Sequence, residues 1–266
     1  MKTALLAVAA MALIAAEKPV PLAVPTGKWV VDFGRDRCVA SHGYQIENVN
    51  YLLAIQAMPT TEDRRVFIEV PRKVDGWRVT PVRTTIGQQK PKLGFTFAEP
   101  LTRAGYARYQ IDLKDEDVEI FNKSGLLSVE TFGVRGQFRV SNLSSLEQVL
   151  EQCEAGLLES WGFSREAQSA LATFPKIKNE KNLLKPRDYP AGAVRKDAVG
   201  AIDTLLNVDQ SGRVTSCRLV RGSGHELLDT TTCRLLQERA QFDPAVDRNG
   251  RAMAAPYYVS VRWWLP

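Results

Sequence analysis

Histidine and cysteine are the side chains best suited to nucleophilic catalysis, and this sequence has two histidines and four cysteines. His42 follows Cys38 by four residues, so the two could form a thiolate nucleophile and its base. In an oxidising compartment Cys38 is more simply half of a disulfide, and we expect His42 in an exposed turn before Gly43. His225 is expected in the first turn of a helix. The sequence has no motif of a serine hydrolase, a nucleotide-binding loop or a zinc protease. We predict no catalytic residue, no metal site and no cofactor.

A run of carboxylates near the middle of the chain has the oxygen-rich composition of a calcium site. It contains no glycine to shape a metal-binding loop, and Val118, Ile120 and Phe121 predict a strand that begins within it. We therefore expect the solvated end of a hairpin. The carboxylates are Asp112, Asp115, Glu116, Asp117 and Glu119.

The four cysteines form no C-x-x-C pair and lack the spacing of metal ligands. Two fall in residues 27–158 and two in residues 189–266, and an even number suggests disulfides in an exported protein. Cys217 on a predicted strand can approach Cys233 on the helix expected to cover that strand. We predict the pairs Cys38–Cys153 and Cys217–Cys233. Four buried free thiols are the alternative.

The last quarter of the sequence predicts a small α+β unit. Apolar and polar residues alternate over positions 201–208 and 213–220, and Gly212 allows a tight turn between the two strands. Leucines at helical intervals follow from Glu226, until Pro244 stops the helix. A last alternating strand covers 257–264. The expected order is strand, strand, helix, strand in two layers.

In order and spacing, these residues resemble the C-terminal domain of the TonB family. The resemblance rests on Tyr189-Pro190, the strand at 200–209, Gly212 and the closing run at 257–264. It implies a protein-binding module that takes up an extended peptide along its last strand, such as the N-terminal box of an outer-membrane transporter. The physical basis is an uncovered strand edge with unpaired N–H and C=O groups. The residues expected to contact the partner are Tyr258, Ser260, Arg262 and Trp264.

The N-terminus has the pattern of a secretory signal. Lys2 precedes an apolar run from Ala4 to Ala16, and this run is shorter than the ~20 apolar residues that span a bilayer. We expect residues 1–16 to be a cleaved signal peptide, with the mature protein in the periplasm and not stably inserted in a membrane. An uncleaved anchor is the alternative.

Energy-transducing members of the TonB family differ from this sequence near the N-terminus. They keep an N-terminal helix with a functional Ser and His, followed by a long Pro-rich spacer. Here no histidine precedes His42, and the Pro-rich stretch runs only from Lys18 to Pro25. We therefore expect the binding domain to be shared with the family, without coupling to an inner-membrane motor.

Residues 27–158 predict a mainly antiparallel β domain closed by one helix. Short alternating runs, such as 66–70 and 109–113, are separated by turn-forming residues. Ser144 and Glu147 have the spacing of a capping box at the start of the closing helix. The Lys- and Pro-rich residues 159–188 are expected to link this domain to residues 189–266 and to let the two move relative to each other.

Composition indicates a folded protein with two modest domains: of 266 residues, 44% are hydrophobic and 24% are charged. The formal net charge is +5, but basic residues are dispersed among acidic ones, so we do not expect nucleic acid as a partner.

The sequence thus predicts a periplasmic α+β protein without enzyme activity that binds a protein or peptide of the cell envelope. One alternative is a secreted enzyme or inhibitor whose active surface lies in residues 27–158, with the C-terminal domain as a docking handle. Another is a structural envelope component that self-associates, for instance as a homodimer.

Overall fold

The computed structural model describes residues 18–103 and 105–265, and the predicted signal peptide lies outside these ranges. The fold is α+β and mainly antiparallel, as predicted. Within the described ranges, no helix has the length and hydrophobicity that a membrane crossing requires.

The first part of the chain forms one antiparallel sheet of nine strands, in the order β1-β2-β3-β4-β7-β6-β5-β8-β9. The sheet is nearly closed, because Leu22, just before the first strand, forms a parallel bridge with Gln137 in the last. The strands are β1 (Val24–Phe33), β2 (Cys38–Ile46), β3 (Val49–Ala57), β4 (Arg64–Val70), β5 (Arg78–Ile86), β6 (Lys92–Pro100), β7 (Ala107–Leu113), β8 (Leu126–Thr131) and β9 (Val134–Arg139).

Side chains alternate between the two faces of this sheet, and those on the inner face are mostly apolar. In β2 every second residue from Cys38 to Ile46 is buried, and in β7 the same holds from Ala107 to Leu113. The residues between them, such as Arg108 and Asp112 of β7, lie on the outer face.

The predicted strand at Val118–Phe121 is wrong, because these residues belong to helix α1 (Asp115–Ser124). Three acidic residues lie in the first turn, where their negative charge interacts favourably with the positive end of the helix dipole. Val118 and Phe121, three residues apart, are both buried on one face of the helix. Gly125 ends the helix in the left-handed conformation, at φ 61°.

Helix α2 (Leu143–Ser160) closes the sheet. It buries Leu146, Leu150 and Leu157, and Cys153 forms the predicted disulfide with Cys38 of β2. The capping box is not formed: the helix starts at Leu143, so Ser144 already lies in its first turn.

The prediction of an exposed turn at His42 is wrong, because β2 continues through Gly43. The His42 side chain is buried, with its ring centroid 5.0 Å from those of both Trp29 and Tyr44. Cys38 is oxidised, so it offers no thiolate to this imidazole.

The C-terminal part forms a second antiparallel sheet with the order β13-β12-β17, and helix α5 packs on one of its faces. Cys217 of β13 forms the second predicted disulfide, with Cys233 of α5. The elements from residue 165 onward are α3 (Arg165–Ala170), β10 (Leu171–Thr173), β11 (Lys176–Ile177), α4 (Ala191–Val194), β12 (Gly200–Val208), β13 (Val214–Arg221), α5 (Glu226–Arg239), β14 (Phe242–Asp243), β15 (Ala245–Asp247), β16 (Ala252–Met253) and β17 (Ala255–Trp263).

Short strands extend this second unit beyond the four predicted elements. Between α5 and β17 the chain forms β14, β15 and β16. In the segment predicted as a linker, β10 pairs with β15 and β11 pairs with β14. Part of residues 159–188 is therefore hydrogen-bonded to the C-terminal unit.

Candidate functional site

The outer edge of β17 is the place where the sequence predicts a partner. β17 pairs with β12 from Gly200–Trp263 to Val208–Ala255 without a register shift. Because N–H groups alternate in direction along a strand, those of Tyr258, Ser260 and Arg262 share one direction. The N–H of Tyr258 points away from β12 and donates to the Oγ1 atom of Thr60, at 2.8 Å. β17 therefore has a row of outward N–H groups.

Side chains also alternate along β17 as predicted. Tyr257, Val261 and Trp263 belong to the apolar core under α5. Tyr258 is instead buried on the opposite side of the sheet, in a small cluster with Met58 and Leu205.

The first domain, together with Trp161 just after α2, covers Tyr258 and Ser260. The Tyr258 ring is stacked on that of Trp161, with 6.0 Å between centroids. Burial raises the pKa of the Tyr258 hydroxyl far above its ordinary value. The Oγ atom of Ser260 accepts a hydrogen bond from Arg65 of β4, at 3.2 Å.

Arg262 and Trp264 lie beside the outer faces of β6 and β7. Arg262 donates to Asp112 at 3.5 Å, and its guanidinium lies 5.0 Å from the centre of the Phe97 ring. Trp264 makes an edge contact with the same ring and is 43% exposed. Of the four predicted partner-binding residues, Trp264 is the most exposed.

Electrostatics at this contact centre on Asp112. It accepts from Arg65 at 2.9 Å and also pairs with Arg262. Burial opposes ionisation of Asp112, but the two guanidinium groups outweigh this and hold its pKa below the ordinary value. Burial, together with the charge of Arg65, lowers the pKa of Arg262 to about 10.

Thr60 adopts an unusual conformation at the contact. It is buried in the loop between β3 and β4 and has a φ of 75°, which β-branched residues rarely adopt. The sequence pattern of β17 gave no signal for Thr60, Arg65 or Asp112, because all three lie in the other domain. Only the positions of β4 and β7 in the sheet bring them to this edge.

The other edge of the C-terminal sheet is β13. Its pairing with β12 has two register shifts, and no strand in the described ranges pairs with its outer side. Leu219 is 44% exposed, and Arg218 donates to the carbonyl of Trp161 at 3.2 Å. This edge is thus irregular and largely open.

The acidic run does not converge on one point. Asp112 faces β17, whereas Asp117 in α1 pairs with Lys92 at 2.5 Å. In residues 18–103 and 105–265, no group of three or more His, Cys, Asp or Glu side chains is arranged to hold a metal ion. His225 directly precedes α5.

Comparison with known families identifies the C-terminal unit. Residues 185–265 match the model of the family described as Gram-negative bacterial TonB protein C-terminal. The match confirms the resemblance and begins four residues before the predicted start at Tyr189. The unit is therefore similar to a family that is tied to envelope transport and to protein interactions. Comparisons with curated proteins and with solved structures gave no match.

Proposed function

We propose that this protein is a periplasmic binding module that pairs with an extended peptide of an envelope partner along the outer edge of β17. The observation that carries the proposal is the hydrogen bond from the Tyr258 N–H to Thr60. In this bond an outward N–H of the strand donates to an acceptor from outside its own sheet. A peptide strand would present carbonyl groups to the same row of donors.

Two observations support strand addition at the outer edge of β17. The pairing of β17 with β12 runs without a register shift, so the outer N–H and C=O groups have regular spacing. The match to the TonB C-terminal family supports a protein partner in the envelope, for which we propose the N-terminal box of an outer-membrane transporter.

Peptide pairing and the contact with the first domain exclude each other at Tyr258. Its single N–H cannot donate fully to both Thr60 and a peptide carbonyl. The domain contact must therefore open at the loop of Thr60 before a peptide pairs along the whole strand. Tyr258, Arg262 and Trp264 would then be free to contact alternate peptide side chains.

Replacing Ser260 with proline tests the proposal, because it removes an outward N–H and leaves the inward N–H groups that pair with β12. Ser260→Ala is the matched control, since it loses the same hydroxyl but keeps the N–H. We expect a fluorescent synthetic peptide with a transporter box to bind the wild type and Ser260→Ala with similar affinity. Ser260→Pro should lose most of this binding.

Folding of Ser260→Pro is checked by circular dichroism and by mapping both disulfides. If the folded variant binds the peptide as tightly as Ser260→Ala does, strand addition at β17 is excluded. Absence of binding by the wild type to a panel of such peptides would exclude the proposed partner class.

A further inference from the structure

A cavity of about 210 Å³ lies between the two domains. One wall is the outer face of β4, β6 and β7. The other is formed by the start of β12, the end of β13 and β17. Its charged lining is dominated by one residue type: Arg37, Arg65, Arg108, Arg221 and Arg262, with Glu99 as the one acidic residue.

The arginines of the cavity differ in the number and distance of the carboxylates that neutralise them. Arg108 pairs with two carboxylates, Glu69 at 2.6 Å and Glu99 at 3.4 Å, and Arg221 pairs with Asp203 at 2.7 Å. Arg37 has a weaker partner, Asp36, at 3.9 Å.

Arg65 and Arg262 both pair with the carboxylate of Asp112, and the charge of Asp203, which pairs with Arg221, also acts on Arg262. These three guanidinium groups and two carboxylates leave one positive charge at this corner of the cavity. Arg65 and Arg262 are largely buried, with 6% and 12% of their side chains exposed.

Arg262 shows the same imbalance in its hydrogen bonds. Its Nε and Nη2 atoms are buried and have no hydrogen-bond partner in the part of the chain that the structure describes. A buried guanidinium with unfilled donors is unfavourable unless a further negative group lies nearby. Burial and the charge of Arg65 lower the pKa of Arg262, and the carboxylates of Asp112 and Asp203 do not fully offset them.

We propose that this cavity binds a small-molecule oxyanion, a phosphate or a carboxylate. Arginine is suited to this chemistry, because its planar guanidinium donates two parallel hydrogen bonds to such groups. The volume accommodates a phosphate-sized ion with several waters, at roughly 30 Å³ per water. The oxyanion lies between Arg65 and Arg262 of the two domains, and Arg37 and Arg108 complete its surroundings.

This site shares Arg262 with the edge of β17 that pairs with a peptide. Because the oxyanion contacts both domains, it stabilises the arrangement in which Thr60 accepts from Tyr258. A small anion is thus expected to oppose the opening that peptide binding requires.

Isothermal titration of the purified protein with inorganic phosphate, and separately with citrate at the same ionic strength, tests the proposal. We expect one saturable site, and the tighter of the two titrants identifies the class of oxyanion. Arg37→Gln and Arg108→Gln should each weaken binding about tenfold. Neither residue belongs to β17, and both side chains are partly exposed, so folding should be retained.

Arg139→Gln is the matched control, because Arg139 is an exposed arginine of β9, far along the same sheet. It should bind the anion as the wild type does. The proposal is overturned if neither titrant gives saturable heat, if both cavity variants bind like the wild type, or if Arg139→Gln weakens binding equally. Peptide titration of the same variants is a separate readout, so failure of the anion site leaves the peptide result interpretable.

Discussion

The two outer strands of the C-terminal sheet are protected in different ways. β13 has its outer side open, but its pairing with β12 shifts register twice and its Cys217 is fixed to α5. β17 is regular along its whole length, and a different domain covers it. An open edge strand invites pairing with other chains unless its shape or charge prevents it.

This difference indicates which edge is available for a partner. Register shifts and the charged residues Arg218 and Arg221 make β13 a poor template for an added strand. β17 keeps a regular template, and the first domain covers it. In the proposed function this cover opens and leaves a regular strand for a partner.

Truncating Tyr258 should have the largest effect on stability. Tyr258 is 2% exposed and packs against Met58, Leu205 and Trp161. We expect Tyr258→Ala to lower the free energy of unfolding by about 4 kcal/mol, as is typical for a large buried aromatic residue. Leu219→Ala on β13 is the counterpart and should change it by less than about 0.5 kcal/mol, because Leu219 is half exposed. Urea unfolding checks both, and equal effects would mean that the first domain does not cover β17 in solution.

Removing the disulfide of β13 should have the next largest effect. Cys217 and Cys233 are 16 residues apart, and a loop of this length corresponds to about 3 kcal/mol of stabilisation. The double variant Cys217→Ala, Cys233→Ala should lose that amount in urea unfolding. Its peptide affinity should match that of the wild type, because the disulfide does not touch β17. A large loss of affinity would show that β13 contributes to the binding edge.

Features that depend on local sequence could be predicted, and those that depend on strand order could not. The alternation along β17 and the pairing of Cys217 with Cys233 follow from local periodicity. The helix at Val118–Phe121 was missed because four apolar-rich residues fit both a strand and a helix. The contact of Thr60 with Tyr258 joins residues 198 positions apart. No pattern in either segment specifies it, because it depends on the positions of β4 and β7 in the larger sheet.

The inner side of β4 should respond to pH while the outer side does not. Arg64 points inward, with Glu147 at 2.7 Å and Glu154 at 3.9 Å, whereas Arg65 points toward β17. Burial raises the pKa of Glu154 from its ordinary value of 4.5 to about 7. The charge of Arg64 lowers this pKa, and the charge of Glu147 raises it. The folded state therefore holds more protons than the unfolded state between these pH values. Stability should fall by up to about 3 kcal/mol as the pH rises through this window.

Glu154→Gln should remove this component of the pH dependence, since the amide does not titrate. Unfolding of both proteins at pH 4.5, 5.5 and 7 measures the difference. Peptide affinity of the wild type should stay constant over the same range, because main-chain pairing at β17 involves no titrating group there. Parallel pH profiles for the two proteins would contradict the raised pKa of Glu154.

Removing the hydroxyl that covers β17 should have the smallest effect on stability and a directly readable effect on binding. In Thr60→Ala the Tyr258 N–H loses its acceptor in the closed arrangement, at a cost of about 1.4 kcal/mol, within the range for an unsatisfied buried donor. The free energy needed to open the contact between the two domains falls by that amount. The peptide should therefore bind about tenfold more tightly to Thr60→Ala than to the wild type. Thr60→Ser keeps the hydroxyl and should bind as the wild type does. If Thr60→Ala binds the peptide no better than Thr60→Ser does, the first domain and the peptide do not compete for β17, and the peptide must pair elsewhere.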